Sequence, residues 1–170
     1  VAAYEISGNA SLPLTEFATL LRLVEGQPFS SSRLDADVST IEELYHRRGF
    51  ASARAVSAIE VATPAAVPIP VIARVVVNEG VRTMVSGVRV AGNQAIGDPV
   101  LRAKVLLQPG APYIPAQVAA SRNAMETAYQ DLGYQAAVVE PRTEFSEGGT
   151  RVDVAFLVQE GPRVFVDRVL

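Results

Sequence analysis

Cysteine is absent from all 170 residues, which excludes disulfides, zinc–thiolate centres and cysteine nucleophiles together. Lysine occurs once, as Lys104, and histidine once, as His46, so every other cation is an arginine. The basic residues are scattered and the formal net charge is −3. A nucleic-acid surface, which needs clustered Lys and Arg against phosphate, is therefore not expected. His46 has no second imidazole to complete a metal set and reads as an ordinary helix-surface residue. The longest apolar stretch, 61–77, is broken by Pro64, Pro68, Pro70 and Arg74, so it cannot cross a bilayer as a helix. Val1-Ala2-Ala3-Tyr4 lacks the basic start and apolar run of a secretory leader, so any leader or anchor is expected outside this stretch. What remains is 49% hydrophobic and 19% charged, a folding composition sized for one ordinary domain or two small ones.

Self-similarity is the strongest pattern present. A shift of 84 residues pairs Gly8-Asn9 with Gly92-Asn93, Gly26 with Gly110, Pro28 with Pro112 and Phe29 with Tyr113. It also pairs Tyr45 with Tyr129, Gly49-Phe50 with Gly133-Tyr134 and Ala53 with Ala137, all without a gap. Further on the shift is 81, pairing Glu79-Gly80 with Glu160-Gly161, Arg82 with Arg163 and Val85 with Val166. Matches rich in Gly, Pro and aromatics arise by chance less readily than Ala or Val matches, so the chain reads as a duplication. The expected domains are 1–84 and 85–165, with 166–170 opening a further, truncated element.

Each copy reads as β-α-α-β-β. Tyr4 and Ile6 alternate with polar neighbours up to Gly8-Asn9, as Val88 and Val90 do before Gly92-Asn93, a strand running into a turn. Phe17, Leu20, Leu21 and Val24 fall at i, i+3, i+4 and i+7, which predicts a first helix. Gly26 supplies a left-handed position past its end, and Pro28 bars resumption. In the second copy Asp98-Pro99 reads as N-cap and N1, with Leu101 and Val105 facing inward. Ser30, Ser31 and Ser32 offer caps to a second helix with the stripe Leu34, Val38, Ile41 and Tyr45. Its ending, Arg47-Arg48-Gly49-Phe50, combines cations for the carbonyl end with a positive-φ glycine, and Gly133-Tyr134 repeats that ending. Strands over 55–61 and 71–77 flank a Pro-rich turn; those over 137–145 and 151–159 flank Ser146-Glu147-Gly148-Gly149. Two antiparallel helices and then a short hairpin make strands one and three parallel and strand two antiparallel to strand three. The expected class is α+β: two tandem domains, each a three-stranded mixed sheet covered on one face by two antiparallel helices.

No catalytic, cofactor or metal site emerges, and the chain is not expected to be an enzyme. Asp35 and Asp37 read as complements to the helix dipole, and Glu42 and Glu43 as solvated outer-face residues rather than a catalytic pair. Tyr45 and Tyr129 read as packing residues with hydroxyls near the rim. Gly148-Gly149 is a hairpin turn and not a phosphate loop, because no helix N-terminus follows. No Ser/His/Asp set can be assembled.

The order of the short motifs is more specific than any one of them: an alternating start into Gly-Asn, Gly-x-Pro-Phe/Tyr between helices, Tyr-x-x-x-Gly-Phe/Tyr after the second, and Glu-Gly-Pro-Arg at the exit. In that order, and twice over essentially the full chain, they resemble polypeptide-transport-associated (POTRA) domains. The first copy departs at its exit, which reads Glu79-Gly80-Val81-Arg82. The resemblance implies a periplasmic array on the N-terminal side of an outer-membrane β-barrel lying outside this sequence. Family members include the barrel-assembly factor, the translocation-and-assembly-module protein and two-partner secretion transporters; these starts and exits look more like the first two. Implied partners are unfolded outer-membrane proteins or secreted polypeptides, and accessory lipoproteins or periplasmic proteins, with no nucleic acid and no cofactor.

The resemblance also puts strand two at a sheet edge and strand three in the centre. An edge strand offers unpaired N–H and C=O groups to any extended chain, whatever its sequence. The alternative is an edge that stays solvated in an array serving only as a spacer. The first copy's edge, Ala55, Val56, Ser57, Ala58, Ile59, Glu60 and Val61, holds no proline and one charge. The second copy's, Val138-Val139-Glu140-Pro141-Arg142, holds a proline between charges, a pattern that resists pairing. Partner binding is therefore expected at 55–61.

Overall fold

A computed structural model describes residues 1–165 of the chain. The expected following element at 166–170, and with it the match of Val85 to Val166, lies outside the described residues. Contacts divide the chain into a unit Val1–Arg82 and a second unit beginning at Thr83.

Alternation and turn residues produce the strands where the pattern puts them. The first unit holds β1 (Ala3–Ser7), a single 3-10 turn (Leu14–Glu16), α1 (Ser31–Arg47), β2 (Arg54–Val61) and β3 (Val71–Asn78). The second holds β4 (Met84–Ala91), α2 (Asp98–Arg102), α3 (Pro115–Asp131), β5 (Val138–Ser146) and β6 (Arg151–Gln159). Sheet orders are β1-β3-β2 and β4-β6-β5, with the outer pairings parallel for β1 and β4 and antiparallel for β2 and β5. This is the expected α+β class, two mixed three-stranded sheets in tandem with helices packed on them.

The long helix of each unit follows its stripe. Leu34, Ile41 and Tyr45 are buried on α1, and Val118, Met125 and Tyr129 on α3. Each ends as the glycine requires: Gly49 has φ 96° and Gly133 φ 91°, which lets Phe50 and Tyr134 return their N–H groups to the carbonyls of Tyr45 and Tyr129. The serine caps do not form; Ser30 is the N-cap residue but its hydroxyl meets that of Ser32 instead. Asp98 is likewise not the cap: Gly97 is, and Asp98 lies inside α2, paired with Arg102 at 2.6 Å.

The first helix is where the periodicity misleads. Instead of a helix through Val24, the first unit has the Leu14–Glu16 turn and three further bonds, Ala18 to Leu14 and both Leu20 and Leu21 to Phe17. Phe17 is fully buried, while Leu20 and Val24 are 44% and 53% exposed, and Leu23 takes the inward place. The cause is Asp37. Its carboxylate sits in the core and accepts the N–H groups of Arg22 (2.7 Å) and Leu23 (2.9 Å), donors that a helix would send to its own carbonyls. A segment this short gains little from propagation, so a charged acceptor wins. Asp37 is thus a buried anchor and not a dipole complement. In the second unit the serine at the matching position, Ser121, accepts the N–H of Leu106 at 2.9 Å, α2 stops at Arg102, and Leu107 rather than Val105 is buried.

The repeated residues turn out to be the wiring of the frame. The side-chain amides of Asn9 and Asn93 each donate to the carbonyl three residues on, at 2.9 Å. A Cβ on Gly8 or Gly92, both at positive φ, would collide with the carbonyl of Val77 or Val158. Tyr45 donates to Glu79 and Tyr129 to Glu160, each at 2.8 Å, so these hydroxyls clasp the exit motif rather than idle at a rim. Glu79 also accepts the N–H and hydroxyl of Ser11, and Glu160 the N–H groups of Gln94 and Ala95. The exit arginines, Arg82 and Arg163, donate to the carbonyls of Arg48 and Leu132 at 2.8 Å, and their guanidiniums lie over Phe50 and Tyr134.

Candidate functional site

Each sheet has two edges, and main-chain bonding treats them differently. Along β1 the chain following Phe17 folds back: the Val1 nitrogen donates to Gln27, Gly26 to Val1, and the N–H of Tyr4 to the Glu25 carboxylate. In the second unit Val85 donates to Ala111, Gly110 to Val85 and Tyr113 to Thr83, with a bridge between Met84 and Pro112. That edge is occupied in both.

Strands β2 and β5 form the other edge. Their outward groups follow from two bonds. Ala62 donates to Pro70 across the β2–β3 hairpin, so even-numbered residues of β2 turn toward β3 and odd-numbered ones turn out. Consistently, the N–H of Ala55 is taken by the Glu42 side chain at 2.8 Å. Ser57, Ile59 and Val61 are left facing out. Of the seven residues expected at the site, Val56, Ala58 and Glu60 therefore spend their backbone groups on β3, and Ala55 is closed by Glu42. That glutamate, which reads from sequence as merely solvated, blocks the near end of the edge.

The same rule applied to β5 places Val139, Pro141, Thr143 and Phe145 outward, and Glu126 takes the N–H of Val139 at 3.0 Å. Pro141 stands where Ser57 stands in the first unit. It removes an outward donor and costs no ladder bond to β6, which is why the strand tolerates it.

Side chains along β2 are apolar on both faces. Val56 is exposed on the face away from α1, opposite Val76, while Ile59 and Val61 are exposed beyond the end of the core. Within 55–61 the one charge is Glu60, which pairs with Arg74, a guanidinium that also bonds Glu5 at 2.8 Å and whose pKa is raised by those two carboxylates. On β5 the outer face alternates charges: Glu140, Arg142 and Glu144 are all exposed.

The other titratable groups hold structure. Tyr4 donates to Asp37 at 3.2 Å; burial, then the Asp37 charge and hydrogen bond, push its phenol well above the usual range. Burial also raises Tyr45 and Tyr129, assisted by Glu79 and Glu160. Burial opposes the two glutamates, but hydrogen bonds from Ser11 and Tyr45, and from Gln94, Ala95 and Tyr129, hold both carboxyls below their ordinary value. His46 is half-buried and its Nε2 meets the Ala53 carbonyl at 3.1 Å, tying α1 to the start of β2. Among the described residues no three His, Asp or Glu side chains come together to hold a metal, and no helix is long and apolar enough to cross a membrane.

The sequence matches the POTRA family, described as surface antigen variable number repeat, over residues 1–80 and again over 83–161. The chain belongs to this family. Its POTRA fold is shared with POTRA3-5 of BamA from Haemophilus influenzae, at 20% identity and TM-score 0.65, covering 96% of this chain and 66% of that one. BamA from Haemophilus ducreyi lacking POTRA domains 1-3 is similar at 22% identity and TM-score 0.67, over 94% of this chain and 29% of that one. A putative outer membrane protein assembly factor of Treponema pallidum is 31% identical over 88 residues, which is 52% of this chain but 10% of that protein. The chain thus spans about a tenth of that relative's length.

Proposed function

We propose that this POTRA pair is a periplasmic, partner-binding section of an outer-membrane protein assembly factor, and that it takes an extended polypeptide onto β2 as an added strand. The observation that carries this reading is the run of outward backbone groups at Ser57, Ile59 and Val61, on the edge of the first sheet that no other segment among the described residues occupies. Main-chain pairing is indifferent to sequence, which suits unfolded outer-membrane clients of many kinds. The likeness of half the chain to a putative outer membrane protein assembly factor supports the setting.

The test is chemical-shift mapping with a ten-residue peptide of alternating apolar and polar residues, the pattern of an outer-membrane barrel strand. Shifts are expected along 54–61 and are expected to vanish in Ser57→Pro or Ile59→Pro. Both substitutions fall at outward positions, so neither removes a bond to β3 and the fold should persist. Unchanged binding in these variants, or shifts confined to 138–144, refutes the reading. No binding at all leaves the array a spacer.

A further inference from the structure

The faces of the two sheets turned away from the helices carry opposite charge patterns at matching positions. In the first unit Arg74 is central on β3, with Glu5 beside it on β1 and Ala58 on β2. Glu5 and Glu60 satisfy that cation. The matching row of the second unit is Arg89 on β4, Ala155 on β6 and Arg142 on β5. The central cation is gone and two cations flank the gap. Two residues along each strand, the next row is Gly87, Asp153 and Glu144.

These residues line a depression of about 630 Å³ with Ala155, 6% exposed, at its floor. Arg89, Glu144 and Asp153 make no ion pair among the described residues, and Arg142 reaches only Glu140, on its own strand, at 3.5 Å. The glycine at 87 belongs to the arrangement, since a Cβ there would stand 2.7 Å from Asp153 Oδ1. A β-bulge between Val85 and Gly87 sets that register.

We infer that this depression binds an extended polypeptide segment carrying an acid and a base two residues apart, its carboxylate between Arg89 and Arg142 and its cation beside Asp153 and Glu144. Planar guanidiniums suit a carboxylate, and both are free of better partners. The two rows are about 6.7 Å apart at 3.3–3.4 Å per residue, the spacing of i and i+2 side chains on one face of an extended chain. A doubly charged phosphate would meet two carboxylates alongside the arginines; an acid–base pair offers each of the four groups a partner of opposite sign. The site uses side chains on a sheet face of the second unit, so it stands independently of strand addition at β2.

Calorimetric titration and shift mapping of the whole two-domain chain test it, using a blocked six-residue peptide with Glu and Lys two apart among Thr and Val. Shifts at residues 87–89, 142–144 and 153–155 are expected. Replacing the peptide's Glu by Gln, or introducing Arg89→Gln or Arg142→Gln, should weaken binding about tenfold or more, the value of a lost charge-assisted pair near 1.4 kcal/mol. The Arg142 side chain is 65% exposed, so Arg142→Gln should leave the fold intact. Ala155→Leu fills the floor without touching a charge and should also weaken binding. Equal binding of the Glu and Gln peptides, indifference to Ala155→Leu, or stronger competition by inorganic phosphate or phosphatidylglycerol vesicles overturns the inference. Shifts confined to 54–61 overturn it too, while leaving the β2 reading intact.

Discussion

The two units solve one packing problem with different chemistry at one pair of positions. In the first, the loop that replaces a helix is held by a buried carboxylate, Asp37, which accepts two backbone N–H groups and the hydroxyl of Tyr4. In the second, Ser121 takes the matching place, accepts a single N–H and donates back to Gln117 within its own helix; the position of Tyr4 is Val88. Tyrosine and aspartate appear together, as do valine and serine. The hydroxyl of Tyr4 needs a buried acceptor, and the Asp37 charge needs a third donor. Where the charge is absent, the phenol is dispensable.

The largest difference between the units should therefore come from deleting these anchors. Asp37→Ala leaves one buried and one half-buried N–H group and a phenol without acceptors and is expected to cost about 3 kcal/mol. Ser121→Ala strands one N–H and should cost about 1 kcal/mol. Amide hydrogen exchange in the intact chain reads each unit separately, with loss of protection confined to 1–82 for the first variant and to the second unit for the other. Equal losses would mean that the loop is held by Phe17 and Leu23 packing alone and that the comparison is empty.

A smaller effect, on binding, separates the two edges. If Pro141 is what closes β5, Pro141→Ser should give the second unit a peptide response along 138–146 that it otherwise lacks. The expected gain is about tenfold, near the value of one main-chain bond at about 1.4 kcal/mol. Shift mapping with the barrel-strand peptide checks it. If binding stays absent, the alternating charges of Glu140, Arg142 and Glu144 close the edge by themselves, and the proline is incidental.

What could be read from the chain beforehand was whatever is local. Gly8-Asn9, Gly49-Phe50 and the alternation over 151–159 each dictate a turn, a helix end or a strand from neighbours in sequence. The edge position of β2 came from family likeness and from a proline that a central strand could not hold. Long-range polar contacts were not legible. Nothing near Asp37 says that it accepts from residues 14 and 15 positions upstream, so Phe17, Leu20, Leu21 and Val24 passed for a helical stripe. Glu42 looked solvated because its target, Ala55, lies across a helix end, a contact that Glu126 repeats with Val139. One signal was available for all of these. Polar residues kept at matching positions of the copies, such as Glu42 with Glu126 and Glu79 with Glu160, are candidates for a shared bond. The depression over Ala155 is invisible in either copy alone, because it exists as a difference between them.

The smallest expected effect concerns the feature on which the units agree. Tyr45 with Glu79, and Tyr129 with Glu160, form the same clasp at the same 2.8 Å. Each carboxyl is held below its ordinary value of 4.5, so the folded state releases that proton more readily than the unfolded chain. The clasp's contribution is therefore complete above pH 4.5 and is lost as pH falls through the lower folded value. Each phenol is raised above its ordinary value of 10, so the same clasp is intact below pH 10 and is lost as pH climbs past it toward the folded value. Tyr45→Phe removes the hydroxyl and leaves the ring in its edge contact with Phe50. It should cost about 1 kcal/mol at neutral pH, because Glu79 keeps its two bonds from Ser11. The variant should also lose less stability than the parent between pH 5 and 3, and again above pH 10, as urea midpoints across pH would record. Tyr129→Phe should do the same to the second unit by a similar amount. A flattened pH profile in one variant and an unchanged one in the other would show that the repeated glutamates serve different ends.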